Sequence, residues 1–350
     1  MMSGDPLAAT CPAPTTEHER VLLGHGSGGR LMAELIDQVI ATELGVTAPP
    51  EDAALVGIAD LDLVFSTDGY VVTPRFFPGG DIGSLAVHGT VNDLAMRGAR
   101  PLALSLAYLV EEGLPIEELR RVTRSVARAA AEVGVPVVTG DTKVVGRGAA
   151  DGLYVTTTGL GVRLREAYPS AGSGQPGDVV LVSGPLGQHG MAVLDARAEL
   201  GIDSGIISDS RPLHRLVAAM IEVGGAAVHS LRDPTRGGLA SALNELAAAS
   251  GVGVELVEQH LPVSAQVAAA CELLGLDPLH VACEGCLVAF VAPEAADRVL
   301  TAMRALPEGE QARRVGVLTQ GPVGRVLART LIGSHRVVDM LVGEQLPRIC

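Results

Sequence analysis

Aromatic residues are scarce in this chain: Phe, Tyr and Trp make up 2% of its 350 residues, and Trp is absent. Because large rings are so few, any core must be built from Ala, Val, Leu and Gly, with many small residues where helices meet sheets. That composition favours an α/β fold in packed layers. The length of the chain favours two domains over one.

Positive charge and long apolar runs are also in short supply. The chain has 26 basic against 40 acidic residues, a net charge of −14 and a pI near 5.1, which argues against binding to nucleic acid. No apolar run reaches the ~18 to 20 residues that cross a bilayer. The first 20 residues have neither the basic start nor the apolar stretch of a signal peptide. We therefore predict a cytoplasmic protein with no membrane contact.

Cysteines are few, and their number is odd, which argues against a disulfide framework and for reduced thiols. Cys283 and Cys286 form a CxxC around Glu284, but this motif leads into an apolar run and lacks a second ligand pair. A zinc or redox site remains an alternative, and small buried thiols are the favoured interpretation. Cys350 stands at the end of the chain, where an easily oxidised thiol suggests a functional group on a mobile tail.

Lysine is almost missing, since Lys143 is the only one beside 25 arginines. One interpretation is chance survival in an arginine-rich composition. Alternatively, its position requires a compact ammonium group with a tunable pKa, which a guanidinium cannot supply.

The order of patterns divides the chain into a disordered leader (1–20), an N-terminal domain (21–169), a C-terminal α/β domain (170–335) and a flexible tail (336–350). Glycine-rich residues 170–178 form the predicted linker. In the N-terminal domain, we expect a turn at Asp68–Gly69 and a helix that is capped by Asp81 and runs to about Arg97.

Two glycine-rich stretches, HGSGG (25–29) and RDPTRGG (232–238), each precede a helical pattern. Glycines let the backbone approach a ligand, and a helix N-terminus offers free N–H groups to an anion. Either stretch alone is equally compatible with a flexible helix entry. Together they indicate a polyphosphate.

Carboxylates recur beside small polar residues, mostly just after apolar patterns. Each is compatible with an ordinary turn or cap residue. As a set they provide the hard oxygen ligands that Mg²⁺ prefers when it carries phosphates. The candidate metal ligands are Asp52, Asp68, Asp93, Asp141 and Asp233. TGDTKVV places Asp141 and Lys143 just past a predicted buried strand, a position where α/β sheets bind ligands.

Seven of these stretches resemble, in the same order, the HypE family of hydrogenase maturation proteins: HGSGG, STDGYVVTPRFFPGGDIG, AVHGTVNDLAMRGA, TGDTKVV, RDPTRGG, CELLGLDPL and the terminal PRIC. The likeness covers about 22 to 350. It implies the two-domain fold of the superfamily of aminoimidazole ribonucleotide synthetase and selenophosphate synthetase. It further implies dimerisation through the N-terminal sheet.

The resemblance also implies a reaction. In this family the terminal cysteine receives a carbamoyl group from the partner HypF, and ATP-dependent dehydration converts it to a thiocyanate. The thiocyanate supplies cyanide to the iron of [NiFe]-hydrogenase, and the HypC–HypD complex is the implied acceptor. Removing the amide oxygen as phosphate requires stabilisation of charge and a base that takes protons from nitrogen.

Carried over motif by motif, the resemblance assigns catalysis to Cys350, Lys143 and Glu284. It assigns ATP binding to His25, Gly26, Ser27, Gly28, Gly29, Thr67, Asn92, Thr142, Thr235 and Arg236, with Mg²⁺ as the accompanying ion.

Three positions depart from the family pattern. The family usually has Asn at Cys283, Lys at Cys286 and Asp at Gln188 of GPLGQHG. Two rival functions are open to comparison with these motifs. Selenophosphate synthetases carry a reactive Cys and Lys in the N-terminal glycine loop, and HGSGG has neither. A non-catalytic scaffold would bind nucleotide without turning over a carbamoylated tail.

Overall fold

The computed structural model describes residues 21–26, 28–46, 50–58, 61–166, 168–197, 204–341 and 348–350. The predicted leader and Ser27 lie outside these ranges. The helices are α1 (Arg30–Leu35), α2 (Thr42–Leu44), α3 (Ile82–Met96), α4 (Ile116–Val133), α5 (Gln188–Ala196), α6 (His214–Gly224), α7 (Gly238–Ser250), α8 (Ala265–Leu274) and α9 (Pro293–Arg304). A π-helical segment (Ile36–Ala41) joins α1 to α2. Over the described ranges, no helix has the length and hydropathy needed to cross a membrane.

The strands are β1 (Ala54–Ile58), β2 (Leu61–Tyr70), β3 (Phe76–Phe77), β4 (Gly80–Asp81), β5 (Ala99–Glu111), β6 (Val137–Val145), β7 (Leu153–Arg163), β8 (Val179–Val182), β9 (Val228–Arg232), β10 (Gly253–Val257), β11 (Val288–Val291), β12 (Arg313–Thr319), β13 (Val326–Arg329) and β14 (His335–Val338). They form sheets of five, seven and two strands. The larger two lie in separate halves of the sequence, in keeping with an α/β fold of two layered units.

The N-terminal sheet has the order β1-β2-β7-β5-β6, in which only β5 and β6 run parallel. Helices α3 and α4 pack together, and α3 packs on β2, β5 and β7. Apolar side chains remain exposed at both ends of this sheet, among them Val56, Phe65, Val138 and Val144. The strand order leaves β1 and β6 as its unpaired edges within the described chain.

Helix α3 begins as predicted, because Asp81 caps it. The Asp81 carboxylate accepts from the N–H groups of Gly83 and Ser84, and Ser84 Oγ in turn accepts from the Asp81 N–H. Thirteen of the 15 residues of α3 are buried. The helix contacts the N-terminal sheet on one side and α6 and β9 of the C-terminal half on the other. It therefore lies between the two halves of the molecule.

The C-terminal sheet has the order β14-β13-β10-β12-β8-β11-β9, with apolar clusters on both faces. The predicted linker is well packed at its start and end: Ala171 and Asp178 are buried, and the Glu51 carboxylate accepts from the Ala171 N–H at 3.0 Å. Strand β14 includes the first three residues of the predicted tail, so regular structure continues to Val338.

Two local predictions were wrong. Asp68–Gly69 forms no turn, because β2 runs through it and pairs with β7 as far as Tyr70. The TGDTKVV segment does not follow a buried strand. It lies within β6, whose residues are almost all exposed because this strand is the sheet edge.

Candidate active site

Three carboxylates converge where the two halves meet. Asp52 precedes β1, Asp93 lies in the last turns of α3, and Asp233 follows β9. One oxygen of each lies within 4.8 Å of the others, which is a spacing suited to sharing one cation. Asp52 accepts from Arg232 Nη1 at 2.5 Å, and Asp93 accepts from Ser66 Oγ at 2.6 Å.

Burial and mutual repulsion perturb all three groups. Burial raises the pKa of Asp52 and, more strongly, that of Asp93. Burial and the Asp52 charge raise the pKa of Asp233 to about 8. Buried acids of one sign repel each other until a cation joins them. The donor set of carboxylate oxygens fits Mg²⁺.

The two glycine stretches meet in one pocket of about 150 Å³ beside these acids. A Cβ on Gly28 would lie 2.5 Å from Arg236 Cβ, and one on Gly238 would lie 2.6 Å from the Leu279 carbonyl oxygen. Only glycine permits this close approach of the backbones. The structure therefore joins the stretches that the sequence analysis treated as separate phosphate sites.

Within this pocket, Ser241 in the first turn of α7 is 2% exposed, and its hydroxyl has no partner among the described residues. A buried hydroxyl is normally paired. An unpaired donor beside the free N–H groups of a helix start fits an anionic ligand. The polar atoms of this pocket are thus consistent with a phosphate group.

Cys350 lies next to the pocket with the tail folded inward. It is 8% exposed and packs in the same apolar cluster as Tyr70, Val72 and Phe77. Burial raises the pKa of the Cys350 thiol to about 12, although the nearby Arg236 guanidinium opposes this effect. Arg236 Nη2 also approaches Asp68 Oδ1 at 3.9 Å.

Glu284 is 2% exposed, and its Oε1 has no hydrogen-bond partner in the described part of the chain. Burial, reinforced by the charges of Asp233 and Asp209, raises the pKa of Glu284 well above its usual value. The loop is fixed by Asp209, whose carboxylate accepts from the N–H groups of Glu284 and Gly285 at 3.2 and 3.0 Å. The result is a carboxyl group whose neutral form is favoured by burial, in a rigid frame close to Cys350.

Cys283 and Cys286 are buried, as predicted, at 0% and 1% exposure. Cys283 Sγ accepts from the Gly187 N–H at 3.1 Å, and Cys286 Sγ lies 3.6 Å from Ser183 Oγ. The two thiols therefore belong to the packing that supports the Glu284 loop.

Lys143, Asp141 and Thr142 are not brought to this site in the single chain. Lys143 Nζ lies 2.7 Å from Asp141 Oδ2, and its side chain is 68% exposed on β6. Asp141 is absent from the cluster formed by Asp52, Asp93 and Asp233. The prediction that Asp141 joins the other metal ligands therefore does not hold within one chain, because β6 is an open edge.

Asn92 was predicted to bind the nucleotide, but its amide is otherwise engaged. Its Nδ2 donates to the carbonyls of Arg211 and Glu284, and its Oδ1 accepts from the Leu213 N–H at 2.8 Å. The side chain links α3 to the C-terminal half. Thr67 contacts Thr158 Oγ1 at 3.0 Å on the sheet, whereas Thr235 lines the pocket. His25 Nδ1 accepts from the Leu22 N–H at 2.9 Å.

Three site residues escaped the sequence analysis: His189, Asp209 and Ser241. His189 follows Gln188 in GPLGQHG, a motif noted only for its departure from the family. Ser241 stands at the fourth position of a helix that begins at the second residue of Gly-Gly, and this placement is a usable signal for a phosphate donor. Asp209 lies in a stretch without periodicity, so no pattern marked it.

Comparison with known proteins gives two domain matches. Residues 50–163 match the N-terminal domain of AIR synthase related proteins, and residues 175–329 match the C-terminal domain.

The comparison also finds full-length relatives. A Bradyrhizobium diazoefficiens protein named carbamoyl dehydratase HypE is 52% identical over 94% of this chain and 95% of its own length. The Escherichia coli K12 protein of the same name is 44% identical over 94% of this chain and 99% of its own.

Solved structures agree. A crystal structure of a HypE–HypF complex matches 88% of this chain and 99% of the solved chain, with a TM-score of 0.84 and 43% identity. A HypE structure in complex with ATP matches 95% of this chain and 100% of that one, with a TM-score of 0.80 and 44% identity.

Proposed function

The chain belongs to the HypE family of AIR synthase related proteins, and from this premise we propose that it is an ATP-dependent carbamoyl dehydratase acting on its own Cys350. The observation that carries the proposal is the placement of Cys350 in the fold. Its side chain lies inside the protein, where the charges of Arg236, Glu284, Asp68 and Asp233 all act on its thiol.

The reaction balances without an external oxidant. The S-carbamoyl group loses its oxygen and two protons, ATP becomes ADP and phosphate, and Cys350 retains a thiocyanate. ATP supplies the phosphoryl group that makes the amide oxygen able to leave. In this proposal Arg236 stabilises negative charge beside the sulfur, and the ionised form of Glu284 takes a proton from nitrogen.

The pocket at the start of α7 is the proposed phosphate site, with Gly28, Gly238 and Ser241 facing the anion. Asp52, Asp93 and Asp233 would hold Mg²⁺, with Asp68 nearby. When bound, this ion neutralises phosphate charge that the acidic cluster would otherwise repel.

Cys350 cannot accept a carbamoyl group in the position described. A thiol with a pKa raised to about 12 is almost never a thiolate, and at 8% exposure it is closed to another protein. The tail must therefore leave the pocket to meet the carbamoyltransferase HypF, and it must do so again to pass cyanide to the HypC–HypD complex. We place this exchange in the cytoplasm, where a thiol stays reduced.

A second copy of the chain completes the site in our proposal. The open edges β1 and β6 and the exposed apolar side chains of the N-terminal sheet favour a homodimer through that sheet. Lys143, Asp141 and Thr142 lie on this surface, so they would act in the pocket of the other protomer.

Replacing Cys350 by alanine is expected to abolish modification, because the other described cysteines, Cys271, Cys283 and Cys286, are buried in the C-terminal half and are not carried on the tail. The protein is incubated with HypF and a carbamoyl donor and then with ATP, and its intact mass is followed. The wild type should gain one carbamoyl group and then lose one water. ATP binding should be unchanged in the variant, and Cys271→Ala, at a buried thiol on α8, is the matched control.

If the wild-type protein binds ATP and never loses water from a carbamoylated tail, the proposed activity is wrong. The alternative of a non-catalytic scaffold that binds nucleotide would then remain. Carbamoylation of the Cys350→Ala protein would move the reacting thiol elsewhere.

Replacing Asp93 by asparagine is expected to weaken binding of Mg²⁺ with ATP, because an amide carries no charge to offset that of the cation. We expect a loss of at least about tenfold, the effect that removal of even an outer-sphere partner typically has. Titration calorimetry with ATP at several Mg²⁺ concentrations measures it. Asp178→Asn, at a buried carboxylate paired with His229, is the control, and equal affinity in the wild type and Asp93→Asn would remove Asp93 from the ion site.

A further inference from the structure

The docked tail is held by main-chain contacts, by the side chains of Arg197 and Arg348, and by His189. Arg197 Nη2 donates to the Arg348 carbonyl at 3.1 Å, and Arg348 Nε donates to the Val71 carbonyl at 3.1 Å. The Cys350 carbonyl accepts from the Val71 N–H at 3.1 Å, and the Arg348 carbonyl accepts from the Thr73 N–H at 3.0 Å. These bonds extend the strand direction of β2 and would form with any tail sequence. The Ile349 carbonyl between them points to the C-terminal half, where His189 Nε2 lies 2.6 Å away.

His189 is fully buried at the start of α5, and both of its ring nitrogens are used. A carbonyl oxygen only accepts, so Nε2 must carry the proton in this contact. Nδ1 lies 2.8 Å from Ser208 Oγ, which itself accepts from the Ser210 N–H at 3.1 Å. The rings of Phe77 and His189 pack at right angles, with centroids 5.3 Å apart. The imidazole is therefore held in one tautomer and one orientation.

We propose that His189 is a positioning residue for dehydration: by donating to the Ile349 carbonyl, it fixes the last peptide plane and so aims the Cys350 side chain at Arg236 and Glu284. This inference rests on the proposed function. His189 touches neither the sulfur nor the phosphate pocket, so it acts through the tail. A reacting group that is displaced by about 1 Å can lose as much as ~10²-fold in rate.

Two substitutions separate the contact made by Nε2 of His189 from the contact made by its Nδ1. The amide nitrogen of glutamine reaches about as far as Nε2, so His189→Gln keeps the donor to Ile349. The shorter asparagine reaches only about as far as Nδ1, so His189→Asn keeps the contact with Ser208 and loses the tail. His88 provides a matched control, since it is also buried, its Nδ1 lies 3.0 Å from Ser210 Oγ, and its Nε2 has no hydrogen-bond partner among the described residues.

The first readout needs neither ATP nor HypF. Alkylation of Cys350 by iodoacetamide requires the tail to leave the pocket, and cleavage after Glu344 releases residues 345–350 for mass analysis. Loss of one hydrogen bond should raise the alkylation rate roughly 2- to 10-fold in His189→Asn. His189→Gln and His88→Asn should stay near the wild-type rate.

The second readout is single-turnover dehydration of the carbamoylated protein. We expect His189→Asn to fall by about tenfold or more, and His189→Gln to restore most of the rate. Alkylation of Cys350 in His189→Asn at the wild-type rate would overturn the proposal, as would equal opening in His88→Asn. If the wild type itself loses no water, the proposed function fails, while the alkylation series still decides whether His189 holds the tail.

Discussion

Replacing Glu284 by glutamine is expected to slow dehydration of the carbamoylated protein by about 10²- to 10⁴-fold, the range for a lost acid–base group. When the tail is docked, burial raises the pKa of this carboxyl group well above the usual value and so favours its neutral form. Glutamine matches a neutral carboxyl group in size, so the loop held by Asp209 should keep its structure. The glutamine side chain cannot take a proton from the carbamoyl nitrogen, so the substitution removes only this proton transfer.

The dehydration rate of the wild type is also expected to depend on pH, and the direction of this dependence tests the role of Glu284. A base works in its ionised form, so the wild-type rate should climb as pH rises toward the raised pKa of Glu284 and level off beyond it. The glutamine variant should show a slow rate without this rise. The glutamine variant should accept the carbamoyl group and bind ATP as well as the wild type does. A glutamine variant that dehydrates at the wild-type rate would leave Glu284 with a structural role only.

A mixture of two inactive proteins, Lys143→Arg and Cys350→Ala, is expected to regain activity when the two are co-expressed. Lys143→Arg alone should bind ATP and accept carbamoyl but lose at least ~10²-fold in dehydration, because a guanidinium cannot exchange protons at neutral pH. In a mixed dimer, Lys143 of the Cys350→Ala protomer acts on the tail of the other protomer. Random pairing makes about a quarter of all sites complete.

The control for this mixture is a pair of substitutions that act in the same pocket, Glu284→Gln with Cys350→Ala. No mixed dimer of that pair should contain a complete site, because Glu284 and Cys350 meet within one chain. Recovery is measured as water loss from the carbamoylated Lys143→Arg chain by intact mass. Failure of Lys143→Arg with Cys350→Ala to recover would show that Lys143 does not serve the partner's site.

The sequence was a good guide wherever a short stretch carries its own signal. Asp81 was predicted to cap α3, and it does so, because a cap depends on only three or four neighbouring residues. The glycine stretches were recognised for the same reason, since the need for a close approach is visible in the glycines themselves.

Long-range packing was not visible in the same way. Nothing in HGSGG reveals that Gly28 lies against Arg236, because that contact depends on how the two halves pack. Strand β6 has the apolar run of a buried strand, yet its burial depends on whether another strand covers it, and within one chain none does. His189 was overlooked because its role comes from the Ile349 carbonyl at the far end of the sequence.

The contacts of Asn92 limit how freely the N-terminal and C-terminal halves of two relatives can be combined in one chain. Its amide connects the helix that carries Asp93 to the backbone of Arg211, Leu213 and Glu284. The acid proposed to bind the ion and the group proposed to accept the proton are thus joined through one side chain that crosses the boundary between the halves. A chimera assembled from the front of one relative and the back of another inherits a working geometry only if this crossing amide finds the same carbonyls, so the two halves are not interchangeable modules.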